Sequence, residues 1–222
     1  MPAAVFGPPV DPPRSDGSGQ DRALLRRAST LLTEAGCRRD GAVIRLPNGE
    51  PLTIEFLDFQ AALQPHTQPF IKNLGLLGIQ ATSRIVDAAQ YQRRTEEFDF
   101  DMTSRRYSTS STPGEALRQV LGSAAAATRG SPNLAGFSDP AIDALLDRIV
   151  AADSRPALIA ACRALDRVLR AGFYWVPHWY RAAHPLAYWD TFSHPEAPPA
   201  YGLGAPATWW WDAEKARRIG RG

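Results

Sequence analysis

The chain has 222 residues, 44% of them hydrophobic and 22% charged, a composition that fits a folded globular protein and excludes a disordered or fibrous one. Lys and Arg number 25 against 23 Asp and Glu, so the net charge of +2 is too small for the one-signed face on which nucleic-acid binding depends. No run approaches the roughly 20 apolar residues of a membrane span, and Cys37 and Cys162 stand far apart with no histidine at ligand spacing, so free thiols are expected and no metal or redox motif is indicated.

The opening residues, MPAAVFGPPVDPPRSDGSG, are crowded with proline and then glycine and serine, and they lack the basic-then-apolar order of a secretory signal. Residues 1–20 therefore read as an extended linker, or an arm lying on another surface. From Gln20 to Ala35, Leu24, Leu25, Ala28, Leu31, Leu32 and Ala35 share one helical face, with Gly36 as the stop. A turn at Asn48-Gly49 precedes the alternation Leu52, Ile54, Phe56, which predicts a half-buried strand. Pro65 to Leu77 reads as a helix closed by Gly78, and Ile79 to Val86 as a second strand. Asp87 caps a short helix, and FDFDMTS gives a third extended run with Phe98, Phe100 and Met102 on one side.

Alternating helices and strands of this kind predict an α/β layer fold with right-handed crossovers and a parallel or mixed sheet. YSTSSTP, Tyr107 to Pro113, is then a loop at a strand exit, the place where open α/β sheets hold ligands. Beyond a loop at Gly130 to Phe137 lie two predicted helices, Asp139 to Ala152 and Ser154 to Ala171. FYWVPHWY follows as a strand, HPLAYWD as another short one, residues 191–207 as irregular chain, and DAEKARRI as a closing helix.

Catalysis has no visible candidate. His66, His178, His184 and His194 form no dyad with a nearby carboxylate, the serines at 108 to 111 lack a GxSxG setting, and no Gly-rich phosphate loop or paired metal-ligand motif occurs. No cofactor is called for. Asp99 and Asp101 read as edge or surface groups, and the arginine pairs 26–27, 38–39, 93–94 and 217–218 as solvated faces. The exception is TSRRYSTSSTP. Guanidinium groups at a sheet exit can clamp a carboxylate, and neighbouring hydroxyls and amides add neutral hydrogen bonds, so recognition is indicated rather than reaction. Because adjacent residues of an extended chain face opposite ways, one of Arg105 and Arg106 is expected to reach a ligand.

The segments LLRRASTLLTEAG, LPNGEPLTIEFL, PFIKNLGLLGIQATSRIVDAAQY, FDFDMTSRRYSTSSTPG, SPNLAGFSDPAIDALLDRIVAADS, RALDRVLRAGFYWVPHWYRAAHPLAYWDTFSHP and TWWWDAEKA, taken in order, resemble the carboxy-terminal part of family 5 extracellular solute-binding proteins. These are the peptide-binding components of ABC importers, and the likeness is to the branch that takes up oligopeptides and peptide-derived compounds. The resemblance implies a type II periplasmic-binding-protein-like second lobe, with a mixed sheet flanked by helices. It also implies a terminal segment returning to a first lobe that this chain mostly lacks. The implied organisation is an arm over 1–20, an α/β ligand-binding lobe over 21–172 and the return segment with its helix over 173–222.

It further implies a monomer in the periplasm, a peptide or peptide-derived ligand bound between lobes, and membrane permease subunits as partners. A non-functional remnant of such a protein, or a hydrolase reusing the fold, are the alternatives. In the family an acidic residue of the cleft loop holds the peptide's amino group. Ser110 stands near that place here, and no acid occurs between Asp101 and Glu115. The ligand-binding residues expected on this basis are Arg105, Arg106, Tyr107, Ser110, Asn133, Trp175 and His178, Asn133 being read equally as a loop-structuring residue. In FYWVPHWY, alternation puts Phe173, Trp175, Pro177 and Trp179 on one side, and most of the stretch is expected to pack between lobes with Trp175 and His178 at the cleft margin.

Overall fold

The computed structural model describes residues 6–107, 112–177, 183–200 and 202–221. The chain divides into two compact units, one ending at Val176 and the other beginning at Pro177.

In the first unit, helix α1 (Arg22–Glu34) starts at Asp21, whose carboxylate accepts from the N–H groups of Ala23 and Leu24. Gly36 ends it, and Cys37 leads into a hairpin, β1 (Arg38–Asp40) paired antiparallel with β2 (Val43–Arg45). Gly41-Ala42 turns this hairpin, which sequence reading did not anticipate. Next come β3 (Thr53–Asp58), α2 (Gln64–Leu76), β4 (Gln80–Ile85), α3 (Ala88–Glu96, capped by Asp87) and β5 (Met102–Thr103). Both β4 and β5 pair parallel to β3, in the order β4-β3-β5, so the sheet is parallel throughout rather than mixed. The third extended run shrinks to two residues because Phe98 turns into the left-handed region at φ 56° and Asp99 bonds back to α3.

Gly78 joins α2 to β4 at φ +86°, and a Cβ there would lie 2.8 Å from the backbone nitrogen of Ile44, whose N–H donates to the Gly78 carbonyl. That close approach brings the hairpin over the sheet, where Cys37, Ile44 and Ile79 form a small core. Arg94 is not on a solvated face. Its side chain is 14% exposed, and its guanidinium lies 2.9 Å from Glu55 and 2.8 Å from Asp99. Asp101 accepts from the Glu55 N–H at 2.8 Å, so the acids before β5 tie that strand to β3.

The second half of this unit is helical. The short helices α4 (Ala116–Leu121) and α5 (Ser123–Ala126), also unanticipated, precede α6 (Pro140–Val150) and α7 (Arg155–Gly172). Leu121, Phe137, Ile142, Leu146, Ile149, Leu158, Ala161, Leu165 and Val168 close into the main core. The described residues before α1 touch two helices: Arg167 and Arg170 of α7 donate to the carbonyls of Gly7 and Val10, Arg170 also holds Asp11, and Asn73 of α2 donates to the Gly19 carbonyl.

Residues 173–177 are not a strand. Phe173 caps α7 in the left-handed conformation at φ 51° and turns its ring outward, 71% exposed. Tyr174 folds back beside Gly172, where any Cβ would run into its ring. The rest of the predicted strand, His178 to Tyr180, lies outside the described residues.

In the second unit HPLAYWD is irregular, and pairing begins two residues after it. There β6 (Phe192–Ser193) meets β7 (Trp210–Trp211) antiparallel, and α8 (Ala213–Arg218) follows. Asp212 caps α8 and also accepts from the Ser193 hydroxyl at 2.7 Å. Lys215 returns to the Phe192 carbonyl and to Asp190, and Arg221 lies 3.7 Å over the Trp189 ring.

Candidate functional site

Because β3, β4 and β5 are parallel, their carboxyl ends share one edge of the sheet. At that edge Asp58 ends β3, its carboxylate accepting from the N–H groups of Phe59 and Gln60 at 2.7 and 3.1 Å and so fixing the turn. Thr103 ends β5, and its hydroxyl donates to the Leu57 carbonyl at 3.0 Å. With that proton used, the Tyr91 hydroxyl is the donor in its 2.9 Å bond to Thr103. Phe59 packs on Tyr91 with ring centroids 4.7 Å apart. Sequence reading missed Phe59 and Tyr91, although Phe59 stands directly after a predicted strand.

Arg105, Arg106 and Tyr107 leave this edge together. Both arginines are exposed, and among the described residues neither makes an ion pair or a hydrogen bond. Tyr107 stacks on Trp175 at 5.1 Å and 20° between planes, and its hydroxyl donates to the Pro132 carbonyl at 3.2 Å. Burial raises the Tyr107 hydroxyl above its ordinary pKa, Arg105 opposes this, and the Tyr91 phenol adds to it. Trp175 meets the buried ring of Phe137 edge-on at 5.1 Å, yet remains 42% exposed. Tyr174 packs on another side of Phe137 at 4.5 Å. Of the residues expected from sequence, the structure stacks Tyr107 on Trp175, with Arg105 near enough to act on the Tyr107 phenol and Arg106 between them in the chain. Ser110 and His178 lie outside the described residues.

Asn133 does not join them as a contact residue. It is 1% exposed, its amide donates to the carbonyls of Gly122 and Phe137 at 3.0 Å each, and its side-chain oxygen accepts from the Phe137 N–H at 2.9 Å. Both its amide hydrogens and its oxygen are engaged by backbone, and it is buried, which is the loop-structuring of its two readings.

A parallel sheet flanked by helices, with a polar and aromatic loop at its carboxyl edge, is the architecture of a periplasmic-binding-protein lobe. Solved structures bear this out at the level of fold. The oligopeptide-binding protein AppA from Bacillus subtilis, in complex with a nonapeptide, superposes with a TM-score of 0.65 at 14% identity, over 84% of this chain and 37% of that one. A mannohexaose-bound periplasmic oligopeptide-binding protein from Thermotoga maritima gives a TM-score of 0.63 at 19% identity, over 71% and 31%.

No protein-family profile matches the chain. Among curated relatives, the probable peptide-binding protein YejA of Agrobacterium fabrum is 41% identical over 211 residues, 95% of this chain and 34% of that protein. The peptidoglycan-binding protein YepA of the same organism is 33% identical over 213 residues, 96% and 34%. Over nearly its whole length the chain is similar to these peptide-binding and peptidoglycan-binding proteins, and it spans about a third of the length of the curated relatives it matches. No helix among the described residues is long and apolar enough to cross a membrane.

Proposed function

We propose that this chain is the ligand-binding lobe of the substrate-binding component of an ABC importer. It takes oligopeptides or peptide-derived compounds in the periplasm, in a cleft closed by a second lobe, and passes them to membrane permease subunits. The role is binding, not turnover. The observation that carries the reading is the pair of exposed guanidinium groups, without an ion pair among the described residues, next to the Tyr107–Trp175 stack at the carboxyl edge of the sheet, in a chain with a relative named for peptide binding. Arg105 or Arg106 takes a ligand carboxylate as a charge-assisted fork, and the exposed part of the Trp175 indole takes an adjacent ring or apolar side chain. With no acid between Asp101 and Glu115, a free amino group is not the anchor on this loop.

Calorimetric titration of the purified chain with the tripeptide Ala-Phe-Glu, its fully amidated form and mannohexaose tests this. Saturable heat is expected for the acidic tripeptide below about 1 mM. Replacing both Arg105 and Arg106 with Ala weakens that binding about 10-fold or more, the range of a lost hydrogen bond to a charged group. Heat from mannohexaose alone, or from the amidated peptide equally, contradicts the carboxylate reading. Silence with all three ligands favours a remnant that cannot bind, and release of free amino acids favours an enzyme.

A further inference from the structure

Tyr107 and Trp175 are separated by more than sixty residues of sequence, yet they stack, and each is supported by one loop, Ser131 to Phe137. The Pro132 carbonyl receives the Tyr107 hydroxyl, and the Phe137 ring receives the edge of the Trp175 indole. Between these two supports sits Asn133, the residue whose side chain fixes the loop's shape. Its oxygen and one amide hydrogen close a ring on the Phe137 backbone, and its other amide hydrogen reaches the Gly122 carbonyl, where α4 gives way to α5. Ser131 adds a second tie, from its hydroxyl to the Ala125 carbonyl at 2.6 Å.

We propose that Asn133 is a positioning residue for the ligand surface: by fixing the Pro132 carbonyl and the Phe137 ring together, it holds Tyr107 and Trp175 in their stacked arrangement. Its role rests on the reading of that stack as the ligand surface. Several features of the geometry favour this over general loop stability. Asn133 has no polar atom to offer a ligand, its bonds go to the backbone of the residue whose ring supports Trp175, and it is the direct neighbour of the carbonyl that anchors Tyr107. Only an amide fits this place, because the two carbonyls it faces need donors while the Phe137 N–H needs an acceptor. A carboxylate keeps the acceptor and sets an oxygen against the carbonyls, and a small aliphatic side chain supplies neither.

The full chain labelled with 5-fluorotryptophan gives a direct readout by fluorine NMR without any ligand, the Trp175 resonance being assigned by its loss in Trp175→Phe. In Asn133→Asp this resonance is expected to move or broaden. A control, Leu158→Ala, removes a buried side chain from the first turn of α7, about 20 Å along that helix from the Gly172 end, and should lower the melting temperature while leaving the Trp175 resonance in place. An unmoved resonance in Asn133→Asp, or an equal movement in the control, overturns the proposal. Should Asn133→Asp fail to fold, Tyr107→Phe decides, since it deletes only the hydroxyl held by Pro132. A shifted Trp175 resonance supports the role of the loop, and an unchanged one removes it. Loss of peptide binding plays no part in these outcomes, so a failure of the loop to hold the stack is told apart from a failure of the peptide-binding reading.

Discussion

The two halves of the first unit are held together by different physics. In the helical half, α4, α6, α7 and the Phe137 loop enclose a continuous apolar core from Leu121 to Val168. In the sheet half the buried cluster among the described residues is Cys37, Ile44 and Ile79, with Leu57 buried outside it, and α1 contributes no buried residue. What the sheet half has instead is polar: Arg94 joining Glu55 and Asp99, Asp101 on the Glu55 N–H, and Thr103 on the Leu57 carbonyl. The candidate ligand surface spans the difference. Its charge comes from the strand exit, while its aromatic stack is anchored through Phe137 in the helical core.

The strongest way to test this contrast is to hollow out each core in turn. Phe137→Ala removes a ring that is 1% exposed and should cost about 3–5 kcal/mol in urea unfolding, along with the near-ultraviolet signal of the stacked rings. Ile44→Ala, in the thinner core with half-buried neighbours able to close the gap, should cost about 2 kcal/mol, the low end for such truncations. Equal losses at the two sites would erase the distinction. A smaller effect is expected at Arg94, because Glu55 stays partly hydrated when the partner is lost. Arg94→Met should destabilise by about 1–2 kcal/mol, between exposed and fully buried ion pairs, and the loss should shrink in high salt.

The smallest effects are those of pH. Tyr107 titrates above its ordinary value, so the folded state holds that proton more tightly than the unfolded one. Its contribution to stability is therefore complete below the ordinary phenol range and is lost as pH rises through the folded pKa. The difference in tyrosinate absorbance between the wild type and Tyr107→Phe should show one late-titrating phenol, and a midpoint at the ordinary value would contradict the burial. At the acid end Asp21 behaves oppositely. Hydrogen bonds from the N–H groups of Leu24 and Asp16 hold its pKa below 3.8, so its help to α1 persists above that value and disappears as pH falls through the folded pKa.

Sequence reading recovered the elements whose signals are local. The cap at Asp87 and the stops at Gly36 and Gly78 state their own geometry, and the helices expected over Asp139 to Ala152 and Ser154 to Ala171 are α6 and α7. The β1–β2 hairpin turns at Gly41-Ala42, and its strands are three residues long and arginine-rich, so no alternation announced it. FYWVP misled for a physical reason. Aromatic density was read as strand pairing, whereas a left-handed Phe173 turns the chain and lets Tyr174 and Trp175 pack on Phe137, contacts set by tertiary structure alone. Of the site, Arg105, Arg106 and Tyr107 were visible because they follow a strand directly. That Trp175 would lie against Tyr107 was not visible, nor that Asn133 would turn inward, since a Ser-Pro-Asn loop can present or bury its amide with the same letters.

The most direct test of the central claim is to follow the fluorotryptophan resonances of the whole chain as Ala-Phe-Glu is added. A ligand seated on the strand-exit surface shifts Trp175 saturably, leaves Trp209, Trp210 and Trp211 unmoved, and loses its effect when Arg105 and Arg106 are replaced. A saturable shift confined to the other tryptophans, or one that survives the loss of both arginines, would place the ligand elsewhere and contradict the account.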